Sequence, residues 1–278
     1  MDKRRIIIIA VAALALIAFY VYWLKLHPAP KYIIAKRKAA AVSIKKKAPA
    51  LPPIIKKVKQ PQVAIVMDDF GYNMNNIEEF FAIKQPITLS ILPDLAYSTK
   101  IAETAHSHGY EAILHLPLEP HRKDVRQEID TIKSGMGKNE IIARLRKEME
   151  TVPYIVGVSN HMGSKSTEEK GLMITIFEEL KKKGLYFFDS LTSRESVCSQ
   201  AAKLTGIRYA RRDLFLDNSE DIPYIEKQMM TLRKTAFAHR KVIAVCHDRK
   251  NTIATLAKFM PLMARDGIRF VYLSELVG

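Results

Sequence analysis

The sequence predicts an α/β protein whose folded part is a barrel of parallel strands. From Val63 onward, eight short apolar runs alternate with segments whose apolar residues recur at helical spacing. Eight strands joined by seven or eight crossover helices favour a parallel (β/α) barrel over an open sheet. Strand order is not visible in a sequence, so an open doubly wound sheet is the alternative.

The predicted strands share a high content of apolar residues. They cover residues 63–67, 87–91, 111–116, 155–159, 185–188, 208–211, 242–246 and 269–273. The first has five apolar residues in succession, which is typical of a strand buried on both faces. Among the helices, Leu172, Ile176 and Leu180 recur on one face. Ser166 with Glu169 predicts the start of that helix as a capping box.

The amino terminus predicts a membrane anchor. Residues 6–24 are uncharged and would span about 28 Å as a helix, enough to cross a bilayer core. Basic residues at 3–5 precede this run, and aromatic residues cluster at 20–23. We therefore expect residues 1–24 to be a single-pass signal anchor with a cytoplasmic tip. A cleaved signal peptide is the competitor, but no convincing Ala-x-Ala site follows.

Positive charge is concentrated before the predicted barrel. Residues 1–62 hold 14 basic side chains and one acidic one, whereas residues 63–278 hold 30 and 28. The nearly neutral folded part argues against a nucleic-acid partner. Residues 25–62 are rich in Lys, Ala and Pro and predict an extended tether. Its lysines either bind anionic lipids or cell-wall polymers or simply keep a spacer solvated, and they compete with the first basic cluster in setting the orientation.

The chain has two cysteines, Cys198 and Cys246. Cys246 lies in an apolar run, so a buried free thiol is expected there. A disulfide between the two is the alternative.

Polar side chains stand at the carboxyl ends of most predicted strands. In chain order they are Asp68, Asp69, His115, His161, Asp189, Arg212, Asp213 and His247. In a barrel of parallel strands these ends lie at one rim, which is where barrel active sites lie. Three histidines, four aspartates and an arginine at one rim exceed what solvation needs.

These residue types suit a metal-dependent hydrolase. Two imidazoles and one carboxylate are a usual ligand set for a catalytic zinc ion, with a fourth position left for water. A second carboxylate can accept a proton from that water, and a separate histidine can protonate a leaving group.

Six short motifs together resemble the divergent polysaccharide deacetylase family. They are Asp-Asp-x-Gly at 68–71, Leu-His-Leu-Pro-Leu-Glu-Pro at 114–120, Asn-His-Met-Gly-Ser at 160–164, Phe-Asp-Ser at 188–190, Arg-Asp-Leu-Phe-Leu-Asp-Asn at 212–218 and Val-Cys-His at 245–247. The resemblance covers roughly residues 62–278. It implies a distorted (β/α)7 barrel of the carbohydrate esterase type, with Zn²⁺ or another divalent metal as cofactor. An acetylated envelope polysaccharide is the implied substrate.

The resemblance also implies roles for the site residues. Asp68 matches the position of the base, and Asp69 matches that of a metal ligand. Ordinary members of the superfamily take two histidine ligands from one His-x-x-x-His segment, but here Lys165 stands four residues after His161. His115 is then the candidate for the second imidazole.

The remaining rim residues are assigned more loosely. His247 is expected to protonate the departing group, and Asp189 and Asp213 are candidates to orient His247 or the base. Arg212 could hold a carboxylate in a bidentate contact. Glu119 either receives the other ring proton of a ligand histidine or is a solvated loop residue.

Three functions follow, of which the first is favoured. It is a zinc-dependent hydrolase that removes acetyl groups from a polysaccharide on the extracytoplasmic side of the inner membrane. The second is a catalytically inactive envelope protein that uses the barrel to bind glycans or to dock a partner; the altered histidine motif favours it. The third, a metal-free glycosidase, leaves His115 and His161 without a role.

Overall fold

The computed structural model describes residues 60–278, and its strands form one parallel sheet. The strands are β1 (Gln62–Phe70), β2 (Thr88–Ile91), β3 (Ala112–Leu118), β4 (Gly157–Met162), β5 (Tyr186–Asp189), β6 (Tyr209–Arg211), β7 (Leu214–Phe215), β8 (Lys241–His247) and β9 (Arg269–Val271). All eight predicted strands are present with shifted ends, and β7 was not predicted.

The two edges of this sheet are joined by consecutive residues. The strand order is β6-β5-β4-β3-β2-β1-β8-β7, with β9 beside the first residues of β1. Between β6 and β7, the Arg212 amide donates to the Asp189 carbonyl at 3.0 Å, and the Asp213 amide donates to the Ile243 carbonyl at 2.9 Å. The chain thus passes from one edge of the sheet, where β6 pairs with β5, to the other, where β7 pairs with β8. The curled sheet fits a (β/α) barrel rather than an open doubly wound sheet.

Helices connect most of the strands and cover the outer face of the sheet. They are α1 (Ile77–Ala82), α2 (Ser98–Ser107), α3 (Lys138–Thr151), α4 (Lys170–Lys182), α5 (Cys198–Thr205), α6 (Ile222–His239) and α7 (Lys250–Arg265). Leu172, Ile176 and Leu180 of α4 are buried as predicted. The predicted capping box is wrong. Ser166 lies in a short 3-10 helix, and its hydroxyl donates to the Ile132 carbonyl at 3.2 Å.

Burial on both faces explains the unbroken apolar run of β1. Val63, Ile65 and Met67 pack in a large core that includes residues from the helices. Ala64 and Val66 point the other way, into a smaller cluster that also takes residues from β3, β5 and β8. Residues from such distant strands meet in one cluster because the sheet curls around it.

The predicted anchor lies outside the described residues, as does the tether up to residue 59. Between residues 60 and 278, no helix is long and apolar enough to cross a membrane. Cys198 and Cys246 are both free and buried, which confirms the expected thiol at Cys246.

Helix α3 buries a carboxyl group that has no partner. Glu148 is 0% exposed, and neither of its carboxyl oxygens has a hydrogen-bond partner in the described part of the chain. Burial, aided by the negative charges of Asp94 and Asp130, raises the pKa of Glu148 to about 9.

The buried Glu148 predicts that its replacement by the neutral glutamine stabilises the fold, and that this stabilisation grows with pH. A glutamate in the unfolded chain loses its proton near its ordinary pKa of 4.5, whereas Glu148 keeps it up to about 9. Raising the pH between these values therefore destabilises the fold, by up to roughly 4 kcal/mol between pH 5 and 8. Glu148→Gln should raise Tm by several degrees more at pH 8 than at pH 5. The control is Glu140→Gln on the same helix, which is exposed and should show no such trend. An equal shift at both pH values would contradict the buried-acid interpretation.

Candidate active site

An irregularity near the end of β1 turns two adjacent aspartates to the same side. Between Met67 and Phe70, β1 has one residue more than β2 opposite it, and Asp69 adopts a left-handed φ of 68°. Neighbouring side chains of a regular strand point to opposite faces. Here the carboxylates of Asp68 and Asp69 both approach Nε2 of His115, at 3.8 and 3.4 Å.

Asp69 brings together the three residues expected to bind metal. Its Oδ1 lies 3.4 Å from Nε2 of His115 on β3 and 3.2 Å from Nδ1 of His161 on β4. The three ligand atoms lie within 4.8 Å of one another. Within residues 60–278, no other group of three His, Cys, Asp or Glu side chains meets this spacing. Two imidazole nitrogens and one carboxylate oxygen match the ligand chemistry of zinc.

Buried hydroxyls orient His115. Its Nδ1 lies 2.8 Å from Oγ of Ser159, which lies 2.8 Å from Oγ of Ser90. When Nδ1 of His115 donates to Ser159, Nε2 is the ring nitrogen that faces Asp69. A cation bound between Nε2 of His115 and the Asp69 carboxylate would stabilise both groups.

The two aspartates have pKa values shifted in opposite directions. Burial raises the pKa of Asp68, which is 3% exposed and whose Oδ1 has no hydrogen-bond partner among the described residues. Burial alone would also raise the pKa of Asp69, but hydrogen bonds and charge interactions with His115 and His161 outweigh it and lower that pKa. A buried carboxylate oxygen without a partner is stabilised by a nearby cation. The residues therefore fit a divalent cation held by Asp69, His115 and His161, with Asp68 beside it.

A buried aspartate fixes His247 at the end of β8, where His247 lies opposite Asp68 in the strand register. Oδ1 of Asp217 is 2.9 Å from Nδ1 of His247, and its Oδ2 accepts from the His247 amide and the Thr252 hydroxyl, both at 2.8 Å. Burial alone would lower the pKa of His247, but the hydrogen bond and charge of Asp217 raise it.

The expectation that Asp189 or Asp213 orients His247 or the base is not met, because both carboxylates bind nearby backbone or hydroxyl groups. Asp189 accepts from the Leu191 amide and the Ser196 hydroxyl, both at 2.7 Å, and Asp213 accepts from the Ile243 amide at 2.8 Å.

Asp217, whose contact with His247 sequence reasoning missed, follows β7. A polar residue after a short apolar run, Leu214 to Leu216, was the signal that could have found it.

Arg212 supports His247 through an aromatic ring instead of holding a carboxylate. Its guanidinium donates to the carbonyls of Ser190 at 2.8 Å and Leu191 at 3.1 Å. It also lies 4.0 Å from the ring centroid of Phe215, which stacks parallel to the His247 ring at 5.8 Å. The stack limits the orientations open to the imidazole.

Glu119 does not take the ring proton of a ligand histidine. Its carboxylate accepts from Lys165 at 3.0 Å and from the Ser134 amide at 2.8 Å. The hydrogen-bond partner of His115 is Ser159 instead. Lys165, at the position of the missing second histidine, therefore helps to hold the loop around Glu119.

The Asp217 contact predicts a measurable change at His247. Asp217→Asn should lower the pKa of His247, because a neutral amide no longer stabilises the imidazolium. NMR titration of the imidazole resonances measures this pKa. Asp213→Asn is the control in the same segment and should leave it unchanged, since Asp213 bonds a backbone amide. An unchanged pKa in Asp217→Asn would contradict the assigned contact.

Comparisons with known proteins show which sequences and folds this chain resembles. The chain is 33% identical over 199 residues to the uncharacterized protein YibQ of Escherichia coli K12, which covers 72% of this chain and 62% of that relative. The chain thus matches under two thirds of the relative's length. The crystal structure of the uncharacterized protein ATU2773 from Agrobacterium tumefaciens has a TM-score of 0.75 at 24% identity, covering 80% of this chain and 91% of that one.

A second solved structure also has the same fold. It is a mutant of BA3943, described as a CE4 family pseudoenzyme with restored enzymatic activity, with a TM-score of 0.50 at 12% identity over 78% of this chain and 67% of that one. The model of the divergent polysaccharide deacetylase family matches residues 65–277, a range that includes every residue of the candidate site. The chain belongs to the divergent polysaccharide deacetylase family.

Proposed function

We propose that the protein is a metal-dependent hydrolase that removes acetyl groups from an envelope polysaccharide. The observation that carries the proposal is the meeting of Asp69, His115 and His161 beside a buried, unpartnered Asp68 oxygen. A divalent cation such as zinc, when held by these three side chains, would polarise a carbonyl oxygen and lower the pKa of water.

Asp68 and His247 supply the proton transfers. The free Oδ1 of Asp68 can accept a proton from the attacking water. His247 engages Asp217 through Nδ1, so its Nε2 is the nitrogen that can donate to the departing amine or alcohol. The raised pKa of His247 favours the protonated form that this step needs. Burial of Asp217 and the stacked Phe215 ring hold the imidazole in one orientation.

The proposal extends to the barrel type and the location. A distorted (β/α)7 barrel is supported because β6 and β7 are only two residues apart and together would fill one strand position between β5 and β8. The family supports a polysaccharide substrate. The uncharged run at 6–24 and the basic residues before it support an anchored protein whose barrel faces the extracytoplasmic side of the inner membrane.

A second candidate is an inactive envelope protein that binds glycans or a partner. Lys165 favours it, because this residue replaces the second histidine of the ordinary motif and pairs with Glu119. The fold is also shared with a protein whose mutant is described as a pseudoenzyme with restored activity. Asp68, Asp69 and His247 together favour catalysis.

Acetate release distinguishes these candidates. The full chain should release acetate from one member of a panel of acetylated glycans, and a chelator should abolish the release. Asp68→Asn should reduce turnover by roughly 10²-fold or more, because the amide cannot accept a proton. Release that resists both the chelator and this substitution would exclude the proposed mechanism. No release from any member, with metal bound, would favour the inactive protein.

Metal content tests the ligand assignment separately. His161→Ala should lose the metal, since two remaining protein ligands hold zinc poorly, and Asp69→Asn should weaken binding. Asp68→Asn should keep the metal. His121→Ala is the control, because His121 lies in a loop and pairs with Glu168 at 2.9 Å. The measurement is elemental analysis of purified protein. Loss of metal in Asp68→Asn and retention in Asp69→Asn would reverse the two roles.

A further inference from the structure

A cavity lined by several acidic side chains lies near the candidate active site. Its volume is about 150 Å³, and its walls come from the loop after β2, the end of β3, the segment 126–130 and helix α3. The residues that matter here are Asp94, Pro117, Gln127, Glu128, Asp130 and Glu148. No residue of the proposed mechanism contributes to its walls.

Two connections place this cavity next to the ligand set. Pro117 lies two residues after His115 on β3. Tyr72, three residues after Asp69, donates its hydroxyl to Glu128 at 2.5 Å. The loop that carries Glu128 is therefore tied to the loop that follows the aspartate pair, and one polymer chain could contact both places.

The cavity has more acceptors than donors. Four of its residues are acids, namely Asp94, Glu128, Asp130 and Glu148, against one base, Arg126, but Glu148 keeps its proton at neutral pH and adds no charge. Lys147 pairs with Asp130 and lies 3.9 Å from Asp94, so it neutralises part of this charge from the side of α3. An excess of carboxylates favours a ligand that carries positive charge.

Unpartnered oxygens mark the inner wall. Both carboxyl oxygens of Glu148, which is 0% exposed, and Oε1 of Gln127 have no hydrogen-bond partner in residues 60–278. Buried polar groups are normally hydrogen-bonded. An unpartnered one in a cavity wall therefore either binds a ligand or destabilises the fold. Because Glu148 lines the cavity with three further acids, a ligand rich in donors explains it.

A bare metal ion does not fit this wall. No three of its carboxyl groups lie within 4.8 Å of one another; among the described residues, only Asp69, His115 and His161 form such a group. The volume of 150 Å³ is also roughly five times the share of one water molecule in the liquid. The occupant should therefore have several donor groups a few ångströms apart.

We propose that this cavity is a subsite for an amine-bearing sugar unit of the polysaccharide. The inference rests on the proposed function and adds a substrate class to it: a polymer in which a free amino sugar lies near the acetylated unit. Asp94 and Asp130 face the ammonium group, and Glu128 and Gln127 accept from hydroxyls. Deacetylation of an N-acetylated sugar yields such an amine. A unit deacetylated in one reaction could therefore occupy the subsite while a neighbouring acetylated unit reacts.

Binding to the full chain, with a chelator present to prevent turnover, tests the subsite. The probes are tetramers of glucosamine, which are cationic, and of N-acetylglucosamine, which are neutral, and calorimetry measures both. The glucosamine tetramer should bind more tightly. Asp94→Asn should weaken it about fivefold, the equivalent of about 1 kcal/mol for one partly exposed charge pair, and leave the neutral tetramer unchanged. Asparagine suits the left-handed φ of 54° at this position.

The control is Asp124→Asn, which removes an acid on the loop that carries Gln127 and Glu128; Asp124 pairs with Arg122 and does not line the cavity. It should change nothing, and Asp130→Asn replaces Asp94→Asn if the latter does not fold. Equal binding of the two tetramers, or equal effects of Asp94→Asn and Asp124→Asn, would overturn the subsite. Stoichiometric Ca²⁺ binding that Asp94→Asn abolishes would also overturn it, by assigning the cavity to a metal. If the binding difference persists while acetate release is absent, the subsite is supported and the proposed hydrolysis fails.

Discussion

The arrangement of the site depends on the irregular end of β1. A regular strand would send Asp68 into one face of the sheet and Asp69 into the other. The extra residue and the left-handed Asp69 bring both carboxylates to His115. An aspartate tolerates this backbone conformation better than most residues, and its contacts with His115 and His161 offset the strain. One carboxylate can thus bind a cation while its neighbour remains free to accept a proton.

The curl of the sheet supplies the second half of the site. Strands β3 and β4 carry the imidazoles on one side of β1, and β8 carries His247 on the other. The chain between β6 and β7 crosses to β8 and brings Asp217 and Phe215 to His247. The same segment, from β6 to Asp217, joins the two edges of the sheet. Closure of the curled sheet and orientation of His247 therefore depend on one stretch of chain.

Sequence reasoning found the strand–helix series and the polar residues at strand ends, since both are local signals, and the family resemblance singled out Asp69, His115 and His161 among them. It missed Asp217 because β7 is only two residues long, too short to stand out as a strand. Asp189 and Asp213 stand at strand ends for another reason: an aspartate there readily accepts from backbone amides of the next turn, as both do. Ser90 and Ser159 lie inside strands, and only the fold reveals that they orient His115.

The central claim is that Asp69, His115 and His161 hold a divalent cation beside Asp68. Anomalous diffraction at the zinc edge, from crystals of the protein grown with zinc, tests it most directly. The account predicts one strong peak about 2.0–2.2 Å from Oδ1 of Asp69, Nε2 of His115 and Nδ1 of His161, with the Asp68 carboxylate outside that distance. No peak among these three atoms, or a peak bound by Asp68 in place of Asp69, would contradict it.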